Sequence, residues 1–354
     1  MADLAFWKGK RVLVTGHTGF KGSWFCQVLL KFGAEVIGYS LEPPTNPNLF
    51  QLSELEKKVK SVTADIRDKD ALFSVFEKEQ PDIVVHMAAQ PIVRESYRDP
   101  VYTYETNVMG TVNILECIRN SGCVRSFLNV TTDKVYENHE WFWGYRETDP
   151  LNGFDPYSNS KSCAELVTHS YRSSFFSDGS VAISTARAGN VIGGGDFAVD
   201  RIIPDCVRAA SKAEPIVVRN PYSIRPYQHV LEPLSAYLMI AQRQYEDSSY
   251  ADSYNIGPED ADCISTGKLV DLFCKAWGNE QAWENKSTGG PHEAGFLKLD
   301  CSKVKTVFNW KPKWSIQEAI SKTVQWTQVY LQNGDIQKIM DKQIVEFFMT
   351  ECAE

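Results

Sequence analysis

The sequence predicts an α/β protein with a doubly wound, parallel Rossmann sheet and a smaller C-terminal substrate-binding region. Short apolar runs alternate with helical patterns over residues 1–189, and a glycine-rich turn, TGHTGFKG, joins the first run to the first helix. Strands of a parallel sheet read as nearly continuous apolar runs because helices cover both faces of the sheet. After Asn190 the alternation stops, and glycine, proline and isolated charges become frequent.

Six runs rich in β-branched and aliphatic residues predict the strands. They are 11–15, 35–39, 59–62, 82–86, 127–130 and 181–184. The spacing of apolar residues predicts helices between them at 22–32, 70–79, 103–120 and 156–176. Because crossovers between parallel strands are right-handed, this order of elements predicts a doubly wound sheet.

The second half of the chain is expected to contribute one helix to the Rossmann domain and to form the substrate-binding region. A helical pattern at 234–245 separates two loop-rich stretches, 190–233 and 258–300, and further helical spacing covers 316–331 and 335–349. We expect a cofactor-binding Rossmann domain at 1–189, with a helix near 230–256 returning to it. The substrate-binding region is expected at 190–229 and 257–354.

Composition argues against several classes of protein. The 354 residues carry a net charge of -8 and contain no basic run, which disfavours nucleic acid as the main partner. The N-terminus lacks the apolar segment of a signal peptide, and no run approaches the roughly 20 apolar residues of a membrane helix. The 9 cysteines form no CxxC pair, so we expect reduced thiols in a cytoplasmic protein, with no disulfide and no metal site.

The turn TGHTGFKG has the spacing of a dinucleotide-binding motif. Gly16 permits a tight turn, Gly19 lets a pyrophosphate approach the backbone, and Gly22 lets the helix pack closely on the strand. The free N–H groups at the start of the helix favour an anion. Thr18 and Phe20 are also expected to contact the cofactor. His17 and Lys21 are expected to join the site as well and to add side-chain donors.

The ends of the next strands supply further cofactor positions. The acidic residue that usually ends the second strand is replaced by Ser40, which weakens the case for a strict NAD preference. No arginine stands at Ser40 or Leu41 to bind a 2′-phosphate, so NAD remains favoured. The other candidates are Asp65 and Ile66 near the adenine, and Ala88 and Ala89 where the backbone meets the cofactor.

Tyr157 and Lys161, in DPYSNSK, lie four residues apart on one face of a helix. A free tyrosine has a pKa near 10, and lowering it by about three units requires about 4 kcal/mol. A nearby ammonium and a positive nicotinamide can supply that stabilisation. The pair therefore predicts hydride transfer in which Tyr157 removes a hydroxyl proton. An isolated YxxxK would more simply be a surface tyrosine and a solvated lysine, but the glycine turn favours the catalytic interpretation.

Five blocks, TGHTGFKG, HMAAQ, ETNVMGT, TTDKVY and PYSNSK, resemble in this order the extended short-chain dehydrogenase/reductases that modify nucleotide sugars. The resemblance reaches about residue 320 and implies a seven-stranded sheet with retained NAD. It implies that Tyr157 is the base, that Lys161 binds the ribose, and that Thr132 hydrogen-bonds the substrate hydroxyl. It also places Asn107 near the active centre among the cofactor contacts, and Gln90 among the substrate contacts.

Within this branch, Thr132-Asp133-Lys134 resembles the triplet of the sugar-nucleotide 4,6-dehydratases, which is Thr-Asp-Glu or Thr-Ser-Glu. The blocks TTDKVYEN, GYRETDPL, RPYQHVLEPL and PHEAGFLKLD are similar to the subgroup that acts on CDP-glucose. That resemblance implies a role in dideoxysugar synthesis for O-antigen and lipopolysaccharide. It also implies a homo-oligomer, dimer or tetramer, built on the helices at 103–120 and 156–176.

Two alternatives stay open. A different nucleotide-sugar 4,6-dehydratase or a 4-epimerase has the same fold, although epimerisation needs no acid at C6 and Asp133 argues against it. A non-catalytic NAD-sensing protein is the second alternative, and the intact Thr132, Tyr157 and Lys161 argue against it.

The resemblance also implies a binding site for the substrate diphosphate. It consists of Asn190, Arg201, Arg225 and His292. Guanidinium groups suit phosphate oxygens because they donate two parallel hydrogen bonds. Taken singly, each arginine is equally well explained as a surface ion pair, and His292 as a loop histidine.

Lys134 departs from the dehydratase pattern, in which a glutamate removes the proton from C5. In one hypothesis Lys134 is a neutral amine that removes this proton, while a protonated Asp133 donates to the departing 6-hydroxyl. In a second, Lys134 stays charged and stabilises the enolate, and Glu137 takes the proton. In a third, Lys134 is structural and points to solvent.

Overall fold

The computed structural model describes residues 3–278, 280–286 and 295–349. Thirteen strands lie within this part of the chain: β1 (Arg11–Thr15), β2 (Glu35–Ser40), β3 (Lys60–Thr63), β4 (Ile83–His86), β5 (Ser126–Thr132), β6 (Ala182–Ala188), β7 (Val191–Ile192), β8 (Ile216–Val218), β9 (Ile224–Arg225), β10 (Gln228–His229), β11 (Ser253–Ile256), β12 (Ile264–Ser265) and β13 (Trp283–Asn285). The helices of the described residues are α1 (Phe20–Lys31), α2 (Leu49–Leu52), α3 (Lys69–Glu79), α4 (Val93–Arg98), α5 (Pro100–Tyr104), α6 (Gly110–Ser121), α7 (Pro156–Phe175), α8 (Ile202–Ala210), α9 (Leu231–Glu246), α10 (Thr266–Trp277), α11 (Ser302–Phe308), α12 (Ile316–Leu331) and α13 (Ile336–Met349).

The central sheet has seven parallel strands in the order β11-β6-β5-β4-β1-β2-β3. The chain reverses its direction of winding between β1 and β4, which are neighbours in the sheet. In such sheets ligands bind beyond the carboxyl ends of the strands at this reversal. The predicted cofactor turn, the TDK triplet and Asn190 all follow carboxyl ends of these strands, so the topology brings them to one edge.

Both faces of the sheet are covered, as the apolar strand pattern predicts. In β1, Val12 and Val14 pack in the core beneath α1, α9 and α13, whereas Leu13 packs in the opposite core beneath α3 and α6. This alternation follows from the two-residue period of a strand. A third core lies among α8, α10 and α12 in the second half of the chain.

Several elements differ from the prediction. The stretches 190–233 and 258–300, predicted to be rich in loops, contain the helices α8 and α10. The helix predicted at 103–120 is interrupted by a π-helical segment, Glu105–Met109, between α5 and α6. The helix near 230–256 ends at Glu246, and Ser253–Ile256 instead forms the edge strand β11, paired with β6. The β-branched and aromatic residues of β11 are too few to stand out in the sequence, and only pairing with β6 makes this segment a strand.

The last helix returns to the Rossmann sheet. Gln27 of α1 donates a hydrogen bond of 2.9 Å to Asp341, and the rings of Phe32 and Phe348 meet edge to face at 5.2 Å. The C-terminal segment thus contributes to the core beneath α1, while the division of the chain into two functional regions stays a prediction.

Candidate active site

The glycine turn is built from close backbone contacts that larger residues would prevent. Gly16 has a φ of +75°, and a Cβ there would lie 2.8 Å from the Ala88 nitrogen. A Cβ on Gly22 would lie 2.1 Å from the Gly16 oxygen. A Cβ on Gly19, the N-cap of α1, would meet no atom closer than the Gly16 oxygen, at 3.4 Å. The turn therefore leaves space at Gly19, where a pyrophosphate can approach the helix N-terminus.

His17 does not extend toward this space. Its Nε2 lies 2.7 Å from the Ser61 hydroxyl, and its ring lies against β2, where a Cβ on Gly38 would come within 2.3 Å of it. Burial lowers the pKa of His17 to about 4, so the ring is neutral at pH 7. The expectation of a side-chain donor to the phosphates has no support in this geometry, since the ring faces the sheet.

The other polar residues of the turn point in different directions. The Thr18 hydroxyl lies 2.9 Å from the Ser40 hydroxyl and donates to the Leu41 carbonyl at 2.9 Å. Nζ of Lys21 lies 3.5 Å from the Tyr237 hydroxyl. Burial, with smaller contributions from the positive charges of Arg201 and Lys161, lowers the pKa of Lys21 to about 7. Lys21 therefore lies within electrostatic range of a predicted catalytic residue, Lys161, and of a predicted substrate-binding residue, Arg201.

The residues predicted to lie near the adenine, and those predicted to lie where the backbone meets the cofactor, also lie along the carboxyl edge of the sheet. Asp65 is paired with Arg67 at 2.8 Å, and hydrogen bonds from Arg67 lower the pKa of its carboxyl. Ile66 is buried, whereas Ala88 and Ala89 are half-buried. The Ala88 amide donates to the Thr15 hydroxyl at 3.1 Å, which fixes the chain beside the glycine turn.

Asn107 and Gln90 form an internal hydrogen-bond network. Asn107, in the π-helical segment, accepts from the Gln90 amide at 2.8 Å and donates to its carbonyl at 3.1 Å and to the Ser160 hydroxyl at 2.8 Å. The Gln90 side chain donates to the Thr103 hydroxyl at 2.9 Å and accepts from the Ile92 amide at 2.6 Å. These contacts order the loop after β4, and a contact of Gln90 with substrate stays a prediction.

The helix that carries Tyr157 and Lys161 begins at a strong N-terminal signal. Asp155 caps it by accepting from the Ser158 amide at 3.0 Å, and Pro156 is its first residue. Lys161 is buried and donates from Nζ to the Val130 carbonyl at 3.3 Å. Burial lowers the pKa of Lys161 to about 8. The pair thus lies on one helix face beside the end of β5, as predicted.

The pKa of Tyr157 differs from the prediction. Burial raises it to about 12. A hydrogen bond with Thr132 and the charge of Arg201 act in the lowering direction, but Asp133 and Asp155 oppose them. Within the protein alone, desolvation outweighs the nearby cations. A positive nicotinamide, which the prediction included, would add a further lowering charge.

Residues 132–135, which we call the catalytic turn, consist of Thr132 at the end of β5 and a single 3₁₀ turn over Asp133–Val135. The Thr132 hydroxyl donates to Oδ1 of Asp133 at 2.9 Å. Asp133 is only 2% exposed, and its Oδ2 has no hydrogen-bond partner among the residues described. Burial raises the pKa of this carboxyl, against the opposing charges of Lys134 and Arg225. Asp133 is therefore suited to hold a proton.

Lys134 and Glu137 have different surroundings. Lys134 is half-buried in the catalytic turn, and its positive charge acts on Asp133. The Glu137 side chain is 47% exposed and lies 3.9 Å from His139. A base must reach its proton in a sheltered site, so these positions favour Lys134 over Glu137 for the C5 proton.

Three of the four predicted diphosphate residues lie in the described part of the chain. Asn190 follows β6, and its carbonyl accepts from the Gln228 amide at 3.0 Å. Arg201 is paired with Asp196 at 3.2 Å, and its charge reaches Tyr157. Arg225 is buried and its charge acts on Asp133. His292 lies outside the described residues.

A buried ion pair behind the catalytic residues was missed by the sequence reasoning. Glu165 of α7 and Arg187 of β6 meet at 2.8 Å, with both side chains almost fully buried. The signal was present, because Glu165 follows Lys161 by four residues and Arg187 is a charge inside an otherwise apolar strand. Sequence alone does not reveal that the two side chains meet.

Metal and membrane features were also sought in the part of the chain that the structure describes. No group of three or more His, Cys, Asp or Glu side chains there is arranged to hold a metal ion. No helix among these residues is long and apolar enough to cross a membrane.

Comparison with known proteins relates this geometry to sugar-nucleotide enzymes. The family model described as GDP-mannose 4,6 dehydratase matches residues 13–323. CDP-glucose 4,6-dehydratase of Salmonella typhimurium is 46% identical over 353 residues, covering 98% of each chain.

Solved structures agree in fold. UDP-glucose 4-epimerase of Thermus thermophilus, in complex with NAD, is 26% identical with a TM-score of 0.78, covering 90% of this chain and 99% of its own. dTDP-glucose 4,6-dehydratase of Bacillus anthracis, in complex with NAD, is 22% identical with a TM-score of 0.77, covering 94% and 100%. By its match over most of its length, this chain belongs to the GDP-mannose 4,6-dehydratase family of extended short-chain dehydrogenase/reductases.

Proposed function

We propose that this protein is an NAD-dependent CDP-glucose 4,6-dehydratase, a lyase that converts CDP-D-glucose to CDP-4-keto-6-deoxy-D-glucose and water. The observation that carries the proposal is the buried Asp133 with its raised pKa, placed beside Thr132 and near Tyr157. A proton-bearing acid there suits the elimination of a hydroxyl. The choice of CDP-glucose rests on the 46% identity to the Salmonella enzyme.

The glycine turn fits a dinucleotide. Gly16 and Gly22 permit the close turn, and Gly19 leaves space at the N-terminus of α1. The small Ala88 and Ala89 lie next to that turn at the end of β4. When bound, NAD would accept a hydride from C4 of the sugar and return it to C6, so the reaction has no net redox change. The Thermus relative, solved with NAD, is consistent with this cofactor.

The first half of the reaction needs a base at the 4-hydroxyl. Tyr157 would remove this proton, and Thr132, which hydrogen-bonds Tyr157, would orient the hydroxyl. Lys161 is buried one helical turn beyond Tyr157, where it can bind the ribose and add positive charge. Because burial opposes ionisation of Tyr157, the base becomes effective when positive charge joins it in the site.

The second half needs a base at C5 and an acid at the 6-hydroxyl. The 4-ketone acidifies the C5 hydrogen, which Lys134 would remove as the base. Asp133 would give its proton to the departing hydroxyl, so that water leaves and a C5–C6 double bond forms. Adjacent positions in one turn let the two groups act on adjacent carbons of the sugar.

The test is turnover of a panel of CDP-, dTDP-, UDP- and GDP-hexoses by the purified protein with added NAD. A 4-keto sugar absorbs in alkali, so its appearance from CDP-glucose, with no consumption of NAD, is the expected result. An epimerised sugar with an intact 6-hydroxyl would instead identify a 4-epimerase. NADH accumulating in proportion to product, or absence of any reaction, would overturn the proposal.

We also propose a cytoplasmic homo-oligomer that uses the helices around α5, α6 and α7. These helices carry exposed apolar residues, among them Val101, Met109, Leu166 and Phe175. Exposed apolar patches on a soluble protein favour association. Sedimentation equilibrium of the wild type and of Leu166→Glu would test this, because a mass unchanged by the added charge would exclude this face. A dimer and a tetramer are distinguished by the same measurement.

A further inference from the structure

The buried Glu165 joins three elements around the proposed catalytic centre. It lies on α7 one turn beyond Lys161, and its carboxylate accepts hydrogen bonds from Thr131 of β5, from the Thr185 hydroxyl at 2.7 Å and from Nη2 of Arg187 at 2.8 Å. All of these residues are less than a tenth exposed. None of them is needed as an acid or a base by the proposed reaction.

Both ends of the catalytic turn are tied to this assembly. Thr131 immediately precedes the turn and is bound by Glu165. At the other end, the Ser162 hydroxyl of α7 donates to the Val135 carbonyl at 2.7 Å. The next residue, Tyr136, accepts through its hydroxyl from Nη1 of Arg187 at 2.8 Å. The turn is therefore held at one end by α7 through Glu165. At the other end it is held by α7 through Ser162 and by Arg187 through Tyr136.

This arrangement matters because the reacting groups come from two different elements. Tyr157 and Lys161 belong to α7, whereas Thr132 ends β5 and Asp133 follows it. Their separation depends on how the helix packs on the strand, and a misplacement of 1 Å can cost about 10²-fold in rate. Arg187 pairs with the Glu165 carboxyl group at 2.8 Å, and a charge-assisted contact of this kind holds that group at a fixed place.

We propose that Glu165 is a positioning residue: through its hydrogen bond with Thr131 it fixes the catalytic turn relative to Tyr157 and Lys161. This inference rests on the proposed function, since it concerns how the proposed acid and base are aligned. Glu165 also acts to raise the pKa of Lys161, against the larger lowering by burial, which adds an electrostatic link between the same groups.

Thr131→Val tests this with Thr185→Val as its matched control. Each substitution removes one hydroxyl bound to Glu165 and keeps the side-chain shape, but Thr185 lies on β6 away from the catalytic turn. Glu165→Gln would leave Arg187 buried without its partner, so loss of activity in that variant could reflect unfolding. Two measurements compare the threonine variants: kcat and KM for CDP-glucose, and hydrogen exchange of the backbone amides of 132–135.

Thr131→Val should lower kcat by roughly 10- to 100-fold with KM changed less than about threefold, and should accelerate exchange in the turn. Thr185→Val should keep kcat within about threefold of wild type and leave that exchange unchanged. Equal effects of both variants, or unchanged exchange in Thr131→Val, would overturn the inference. Absence of wild-type turnover would refute the proposed function, and the exchange measurement would still decide the role of Glu165.

Discussion

Replacement of Asp133 by Asn removes the proposed proton donor and keeps the shape of the side chain. The amide oxygen can still accept from the Thr132 hydroxyl, which lies 2.9 Å from Oδ1 in the native protein. The amide carries no charge, and burial, which raises the pKa of the native carboxyl, likewise disfavours a charge at this place. The variant should therefore fold, so a loss of activity reports on chemistry.

The expected loss follows from the surroundings of the carboxyl. Asp133 is 2% exposed, so solvent cannot easily replace it as the acid. Of the nearby acids, Glu137 faces solvent and Asp155 is occupied in capping α7. A positioned acid contributes about 10²–10⁴-fold, which corresponds to about 3–5 kcal/mol of transition-state stabilisation. We expect kcat on CDP-glucose to fall by this factor.

A changed leaving group distinguishes an acid from a merely structural residue. CDP-6-deoxy-6-fluoroglucose loses fluoride, which departs with much less help from a proton than hydroxide does. Asp133→Asn should lose about tenfold or less on this substrate, measured by a fluoride electrode, in place of the 10²–10⁴-fold loss on CDP-glucose. Glu137→Gln, which alters an exposed acid of the same loop, should match wild type on both substrates.

The pH dependence supplies a second readout. Because burial raises the pKa of Asp133, its proton-bearing form persists to higher pH than that of a free aspartate, and the rate on CDP-glucose should fall as pH rises through this pKa. That decline should be absent in Asp133→Asn. Equal losses on the hydroxyl and fluoro substrates, or undiminished turnover of CDP-glucose, would refute the role of Asp133 as the acid.

Three further predictions concern other residues. Tyr157→Phe should lower kcat by about 10²–10⁴-fold with little change in substrate affinity, and near-normal turnover would place the base elsewhere. Lys134→Met should stop the exchange of the C5 deuteron of labelled substrate while C4 oxidation continues, whereas water elimination at the native rate would exclude Lys134 as the base. Burial lowers the pKa of His229 to about 3. In the unfolded chain the histidine binds a proton below about pH 6.5, whereas the folded protein does not. The free energy of unfolding should therefore decline by about 2 kcal/mol as pH falls from 7 to 5. In urea unfolding, His229→Asn should show a decline smaller by that amount, and an equal decline would contradict the argument.

Local patterns in the sequence were enough to predict most of the Rossmann half. Apolar runs marked six of the seven strands, and α7 begins at the predicted Pro156, where Asp155 caps the helix and proline suits its first position. The spacing of Gly16, Gly19 and Gly22 predicted a turn that the close contacts of Gly16 and Gly22 then require. Motif order, with the Tyr157 and Lys161 spacing, was sufficient for the family.

Only the tertiary structure decided how far each polar group is buried and which partner it meets. His17 turns toward the sheet because Gly38 leaves room for its ring, and a glycine on a neighbouring strand is invisible to a local motif. Tyr157 has a raised pKa because the desolvation of its hydroxyl outweighs the charge of nearby cations. Glu165 meets Arg187 and Thr131 across three elements, since contacts between segments distant in sequence arise only when helix and sheet pack together. The sequence thus determined which chemical groups are present, and the packing determined their protonation and their alignment.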